Sequence, residues 1–222
     1  MIVQIEKLRY QYKKSSEPTI KDFSLKIEQG EIVAILGESG SGKSTVLRLI
    51  AGLETPKSGI ISINGKTMVD HQTFTPPEKR GIGMVFQDYA LFPHMTVEKN
   101  IKFGLRHMTR KKKKERLEEM LELVNLSDYQ KRYPYELSGG QQQRIALARA
   151  LAPAPSLLLF DEPFSNLDAS LQVKIRDELK SILKQTKITS IFVTHDQEDA
   201  TALADRIVYI EKGIVKSNHL RE

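Results

Sequence analysis

The residues best suited to chemistry are Gly37-Glu38-Ser39-Gly40-Ser41-Gly42-Lys43-Ser44-Thr45. They fit G-x-x-x-x-G-K-[ST], the phosphate-binding loop. Glycines let backbone N–H groups turn inward around a polyphosphate, and a helix starting there adds partial positive charge from its unpaired N–H groups. Lys43 brings a full charge to the β- and γ-phosphates of a nucleotide, and the Ser44 hydroxyl can ligate Mg2+. Such a loop still needs a carboxylate for the metal and a base or orienter for an attacking water. Asp161-Glu162 offers both in adjacent positions, directly after Leu157-Leu158-Leu159-Phe160. Carboxylates at the end of a buried strand are costly unless a metal or partner meets them. Asp161 is therefore a candidate Mg2+ ligand, direct or through water, and Glu162 the candidate for hydrolysis. Gln87 could ligate Mg2+ or position water. His195 could hydrogen-bond the γ-phosphate or be an ordinary structural histidine. The other histidines, His71, His94, His107 and His219, are scattered and suggest no metal site.

These residues need elements to hold them. Glu31 to Leu36 is a short apolar run rich in β-branched residues, a buried strand before the loop, and Val46 to Gly52 has helical spacing with glycine at its end. Gly81 to Phe86, Leu157 to Phe160, Ser190 to Thr194 and Arg206 to Ile210 read as further strands, and Leu171 to about Lys184 as an amphipathic helix. Strands alternating with helices imply an α/β fold with a mostly parallel sheet, which binds ligands beyond its C-terminal strand ends. The glycine loop, Gln87, Asp161-Glu162 and His195 all fall at such ends. That coincidence weighs more than any single motif.

Residues 1 to about 29 alternate apolar and polar, which suggests two antiparallel strands around the polar loop Lys13 to Pro18. Tyr10 and Tyr12 close the first of them; either could stack on a base or be a plain edge-strand tyrosine. Ile60 to Lys66 reads as a strand entering an Asn-Gly turn. From Asp88 to about Pro134 helical patterns dominate. Together with the helix that Ser138 caps and Pro153 ends, they form a helical insertion over about 88–154. Gly139-Gly140 at the start of that last helix leaves backbone N–H groups bare, a second anion site. The run Arg110-Lys111-Lys112-Lys113-Lys114 reads as a solvated helix face, mildly unfavourable at a helix N-terminus.

With 222 residues, 40% of them hydrophobic and 28% charged, the chain suits one globular domain with a sizeable core. It has no cysteine, which removes disulfides and thiolate metal sites and fits a reducing cytoplasm. Its apolar runs are too short to cross a bilayer, and its N-terminus lacks a signal-peptide layout. The net charge of +6 comes without interleaved aromatics, so a solvated surface is favoured over nucleic-acid binding.

The motifs together resemble the ATPase subunit of the ATP-binding-cassette (ABC) transporter family, across essentially the whole chain. Leu137-Ser138-Gly139-Gly140-Gln141 matches the family's signature sequence, and Leu158 to Pro163 its Walker B strand with a catalytic glutamate. Gln87 falls at the Q-loop, Ser165-Asn166-Leu167-Asp168 at the D-loop and Thr194-His195-Asp196 at the switch histidine, while Tyr12 matches the base-stacking aromatic better than Tyr10. Glu38 and Asn166 are small departures from the commonest residues.

The resemblance implies a single nucleotide-binding domain over 1–222, with a P-loop core, an N-terminal antiparallel subdomain and a helical insert. It implies a head-to-tail homodimer. In it, ATP and Mg2+ lie between the phosphate loop of one copy and Ser138, Gly140 and Gln141 of the other, with Asp168 beside them. Gln87 would relay closure to integral membrane permease subunits at the cytoplasmic face of the plasma membrane, with a solute-binding protein acting indirectly and no nucleic acid involved. Residues 75–97 are similar to bacterial importers, closest to the ferric-iron and polyamine type. An exporter ATPase and a non-transport ABC ATPase are the alternatives. Many such importers carry a C-terminal regulatory domain, so this chain would be a short member or a piece of a longer one.

Overall fold

The computed structural model describes residues 1–220. Two sheets face each other across a helix. The first is antiparallel, in the order β2-β1-β4-β5, from β1 (Val3–Tyr10), β2 (Ile20–Ile27), β4 (Ser58–Ile63) and β5 (Lys66–Val69). The second is built from β3 (Ile32–Leu36), β6 (Ile82–Val85), β7 (Leu157–Asp161), β8 (Thr189–Thr194), β9 (Arg206–Glu211) and β10 (Ile214–Leu220). Its order is β10-β9-β3-β8-β7-β6; every pairing is parallel except the β9–β10 hairpin at the edge. The expected α/β architecture, with an antiparallel N-terminal part, is present.

The continuous apolar runs of the central strands have a direct cause. In β3, Ile32, Ala34 and Leu36 face one apolar cluster, while Val33 and Ile35 face the other. In β7, Leu158 and Phe160 divide from Leu157 and Leu159 in the same way. A strand covered on both faces needs no polar alternation. On one side lies α1 (Lys43–Ala51), whose Val46, Leu47, Leu49 and Ile50 fill the space between the sheets. On the other lie α4 (Gly139–Leu151), α5 (Ala169–Thr186) and α6 (Gln197–Leu203).

The helical insert comprises α2 (Val97–Lys102), α3 (Arg110–Leu123) and α4, joined by short 3-10 turns. Thr96 and Thr109 cap α2 and α3 by accepting from Lys99 N and Lys112 N. The insert shares the core of the large sheet: Val97, Ile101, Leu117, Met120 and Ile145 belong to the same cluster as Phe160 and Phe192. The turn before α2 is built on fully buried Asn100, which accepts from Phe92 N and donates to the carbonyls of Phe92, Met95 and Thr96.

Three expectations about boundaries need correction. The first strand stops at Tyr10, so Tyr12 lies beyond it. The strand before Gln87 stops at Val85. The Asn64-Gly65 turn closes a hairpin onto β5, and Lys66 belongs to that second strand. Among the described residues no helix is long and apolar enough to cross a membrane.

Candidate nucleotide site

The glycine loop leaves β3 at Leu36 and enters α1 at Lys43. Gly42 stands at the N-cap with φ 103°, a left-handed conformation that other residues resist, and no side chain caps the helix. The first N–H groups of α1 therefore point at the loop, as anion binding requires. A Cβ on Gly42 would also lie 2.7 Å from Ile20 Cδ1, so the first sheet backs the loop directly. Gly213 N donates to Ser41 O at 3.0 Å, and Lys21 N to Gly213 O at 2.9 Å, so the β9–β10 turn joins the loop to β2.

Inside the loop, Lys43 is buried and its ammonium donates to the carbonyls of Gly37 and Glu38, both at 2.8 Å. Burial draws the Lys43 pKa down, while the nearby carboxylates of Glu162 and Asp161 pull it up. The buried Ser41 hydroxyl has no hydrogen-bond partner. A buried cation held only by carbonyls, beside an orphaned hydroxyl, suits an incoming polyphosphate. Ser44 Oγ donates to Asp161 Oδ1 at 2.6 Å, linking α1 to the end of β7. A hydroxyl and a buried carboxylate in contact form a hard oxygen pair, the donor type Mg2+ takes.

Glu162 follows with φ 46°, and its N–H donates to Val193 O of β8 at 3.1 Å. Its Oε2 lies 3.2 Å from His195 Nδ1, so the histidine at the next strand end is brought to the glutamate. The His195 loop is set by residues that no sequence motif singles out. Thr194 Oγ1 accepts from Asp196 N at 3.0 Å and donates to Asp199 Oδ2 at 3.3 Å. Arg176 Nη2 donates to Asp199 Oδ1 at 2.5 Å. Burial raises the Asp199 pKa, and the Arg176 bond opposes that rise. The only hint in the sequence is an acid one helical turn beyond His195.

Gln87 is exposed, two residues past β6, and its backbone carbonyl accepts from Asn166 Nδ2 at 2.8 Å. The loops after β6 and β7 are thereby joined by a residue that departs from the commonest family pattern. The Asp168 carboxylate, expected beside the cofactor, has a partner in its own chain. Its Oδ1 accepts from Leu171 N at 3.0 Å and caps α5. The aromatic alternatives separate cleanly. Tyr10 is buried and donates to Glu54 Oε2 at 2.6 Å; burial, then that bond, pushes its pKa up. Tyr12 is 36% exposed, meets Tyr10 edge-on at 4.8 Å, and its hydroxyl lies 3.1 Å from Thr45 Oγ1 beside the loop. Of the two, Tyr12 is the more exposed.

Ser138 caps α4 as expected. Its Oγ accepts from Gln141 N at 3.4 Å, and Gln141 Oε1 accepts from Ser138 N at 3.0 Å, a capping box. Gly140 is buried against Ile175 of α5. Among the described residues, no hydrogen bond joins Ser138–Gln141 to the glycine loop of the same chain.

A glycine loop, an acid pair and a histidine at adjacent ends of one parallel sheet define a phosphate-loop nucleotide-binding cassette. Comparison with known proteins places it further. The family described as ABC transporter matches residues 20–165. The chain is 49% identical over 216 residues to the sulfate/thiosulfate import ATP-binding protein of Synechococcus elongatus, covering 96% of this chain and 61% of that protein. It is 49% identical over 196 residues to an Fe(3+) ions import ATP-binding protein of Rhizobium meliloti, covering 87% and 49%. A dimeric ATP-binding cassette in a post-hydrolysis state bound to ADP and Pi superposes with a TM-score of 0.83 at 35% identity, over 100% of both chains. A Clostridium perfringens cassette, part of an ABC transporter complex, superposes at 0.87 with 28% identity, over 99% of this chain and 88% of that one. The chain belongs to the ABC transporter family, as its ATP-binding domain. It spans about half to three-fifths of the length of the two curated relatives described.

Proposed function

We propose that this chain binds and hydrolyses ATP with Mg2+, and that two copies paired head to tail power solute import through a separate membrane permease. The observation that carries the reading is the convergence of Ser44–Asp161 and Glu162–His195 on the N-terminal end of α1. Lys43 would exchange its two loop carbonyls for phosphate oxygens. Ser44 and Asp161 would hold Mg2+, which when bound supplies charge neutralisation at the phosphates. Gln87 would add to that set or order water. Glu162 would orient and deprotonate the attacking water, and His195, held through Thr194 and Asp199, would contact Glu162 and meet the γ-phosphate. Tyr12 would stack on the base.

The capping box at Ser138–Gln141 supports a shared site. It presents a second helix N-terminus, unconnected to the glycine loop of its own chain, that suits the triphosphate of another copy. Dimeric solved cassettes are consistent with that pairing. Import is supported by relatives named as import ATP-binding proteins. Those relatives are named for sulfate or thiosulfate, Fe(3+) and sn-glycerol-3-phosphate, so the solute is chosen outside this domain. The resemblance of residues 75–97 to ferric-iron and polyamine importers makes a solute of that kind our inference, with the choice itself made by partners of this domain.

Glu162→Gln tests the reading. Nucleotide affinity should stay within about threefold, turnover should fall at least ~100-fold as expected for loss of a general base, and an ATP-dependent dimer should persist in size exclusion with light scattering. Undiminished turnover in the purified variant would overturn the assignment.

A further inference from the structure

We propose that the buried Arg176–Asp199 pair is a positioning device for His195, and that it acts by tying the histidine's loop to α5. The proposal rests on the hydrolytic reading above, in which His195 meets Glu162 and the γ-phosphate. Asp199 lies in α6, one helical turn past His195. The side chains of Arg176 and Asp199 are only 10% and 5% exposed. Asp199 Oδ1 accepts from Arg176 Nη2 at 2.5 Å and from Gln172 Nε2 at 3.2 Å, both on α5. Asp199 Oδ2 accepts from the Thr194 hydroxyl at 3.3 Å. That hydroxyl in turn accepts from Asp196 N at 3.0 Å, so the residues on both sides of His195 are held by one carboxylate.

From α5 the connections lead back to Glu162. Asp168 Oδ1 accepts from Leu171 N at the start of α5, and Ser165 Oγ and Ser165 N both donate to Glu162 O. With the 3.2 Å contact between Glu162 Oε2 and His195 Nδ1, these segments close a ring. Glu162 and His195 are thus fixed to each other twice: directly, and through α5 and α6.

A buried ion pair adds little net stability, because desolvation takes back most of the attraction. Burial accordingly raises the Asp199 pKa against the pull of Arg176. Arg176 Nε has no hydrogen-bond partner, and the exposed Glu198 comes no nearer than 3.8 Å to Nη1. A pair so costly and so incompletely satisfied is poorly explained as a stabilising contact. What it secures is direction. With Oδ1 committed to α5, Oδ2 is aimed at Thr194 and the histidine loop.

The test measures steady-state ATP turnover, melting temperature and the histidine Cε1–H resonances of the whole chain, with His195 assigned by the line missing in His195→Ala. Thr194→Val deletes the hydroxyl and leaves the ion pair. Arg176→Met with Asp199→Leu replaces the pair by apolar side chains, an exchange that buried pairs often tolerate. Both should lower kcat about 10–100-fold, as expected for a misplacement near 1 Å, with KM for ATP held within about twofold. Thr194→Ser should recover most of the loss, and the His195 resonance should move in the Arg176→Met, Asp199→Leu variant. In a His195→Ala background, Thr194→Val should cost no further turnover, because both act through the histidine. Unchanged kcat in Thr194→Val or in the double variant, or an equal further loss in the His195→Ala background, would overturn the proposal. Normal turnover in Thr194→Val beside impaired His195→Ala would defeat the positioning and leave the hydrolytic reading. A parent without turnover whose His195 resonance still moves in the double variant would do the reverse.

Discussion

Replacing Arg80 should loosen the helix that carries the phosphate loop. Arg80 is 2% exposed, and its guanidinium has no carboxylate partner. Nη1 donates to Leu49 O at 2.9 Å and Ile50 O at 2.7 Å, and Nε donates to Thr75 O at 2.7 Å. Leu49 and Ile50 belong to the last turn of α1, where Leu49 O also accepts from Gly52 N at 3.2 Å. Arg80 is thus a cationic C-cap, and its charge complements the negative end of the helix whose other end faces the nucleotide. Burial lowers its pKa to about 10, so it stays charged at neutral pH. In Arg80→Met the three charge-assisted bonds lose about 1.5–3 kcal/mol each. Relief of the buried charge, including an Nη2 that has no partner, returns several of these. The net loss is about 3 kcal/mol, or about 6–12 °C in melting temperature at this chain length. Denaturant and thermal unfolding measure it, and a change below about 0.5 kcal/mol would refute the argument. Gly52 supplies an internal control. Its φ is 81°, and an added Cβ would fall 2.5 Å from Arg80 Nε. Gly52→Ala therefore costs backbone strain and a collision in the parent, but only the strain, about 1 kcal/mol, in an Arg80→Ala background. A double-mutant cycle should show coupling of at least ~1 kcal/mol; additivity would mean that the two do not pack as described.

The two tyrosines should separate by function. Tyr12→Ala should weaken ATP binding about tenfold, since base–aromatic stacking contributes about 1–3 kcal/mol, whereas Tyr10→Phe should leave affinity unchanged and cost about 1 kcal/mol of stability through the lost Glu54 bond; isothermal titration and denaturant unfolding distinguish them. Lys43 should make binding pH-dependent on the alkaline side. Burial holds its free pKa below 10.5 and triphosphate must raise it, so the complex binds more protons and affinity falls as pH rises through that interval. Titration at alkaline pH in buffers of different ionisation enthalpy should show proton uptake; none would mean that Lys43 does not meet the phosphates.

Strands β3, β7 and β8 were legible in the sequence because burial on both faces removes polar residues from them, and their ends were legible because the residues placed there are costly without a ligand. The edge strand β10 was not. β10 contains Lys216, Ser217, Asn218 and His219 and has an irregular register between Val215 and Ser217, so it shows no clean period of two. Arg80 was hidden by its setting: it follows Pro76-Pro77-Glu78-Lys79, which reads as an exposed turn, yet it is among the most buried polar side chains. Asp199, Arg176 and Asn100 were illegible for a related reason. Their partners are loop backbones or side chains distant in sequence, and no spacing rule announces such contacts.

Glu162 unites the local and tertiary parts of the site. A non-glycine residue at φ 46° costs about 1–2 kcal/mol, and such a conformation persists only where its surroundings over-determine it. Here its N–H is fixed to Val193 O, and its carbonyl accepts from Ser165 Oγ at 3.0 Å and Ser165 N at 3.3 Å. These are backbone-centred constraints on both sides of the residue, and none involves the carboxylate. The bend at the end of β7 therefore fixes where the side chain goes, and the contact with His195 is a result of that bend. Glutamine at this position keeps the bend and the size while losing the basic oxygen. For that reason Glu162→Gln separates chemistry from fold. A glycine there would release the strain and the aim of the side chain together, and would report on neither alone.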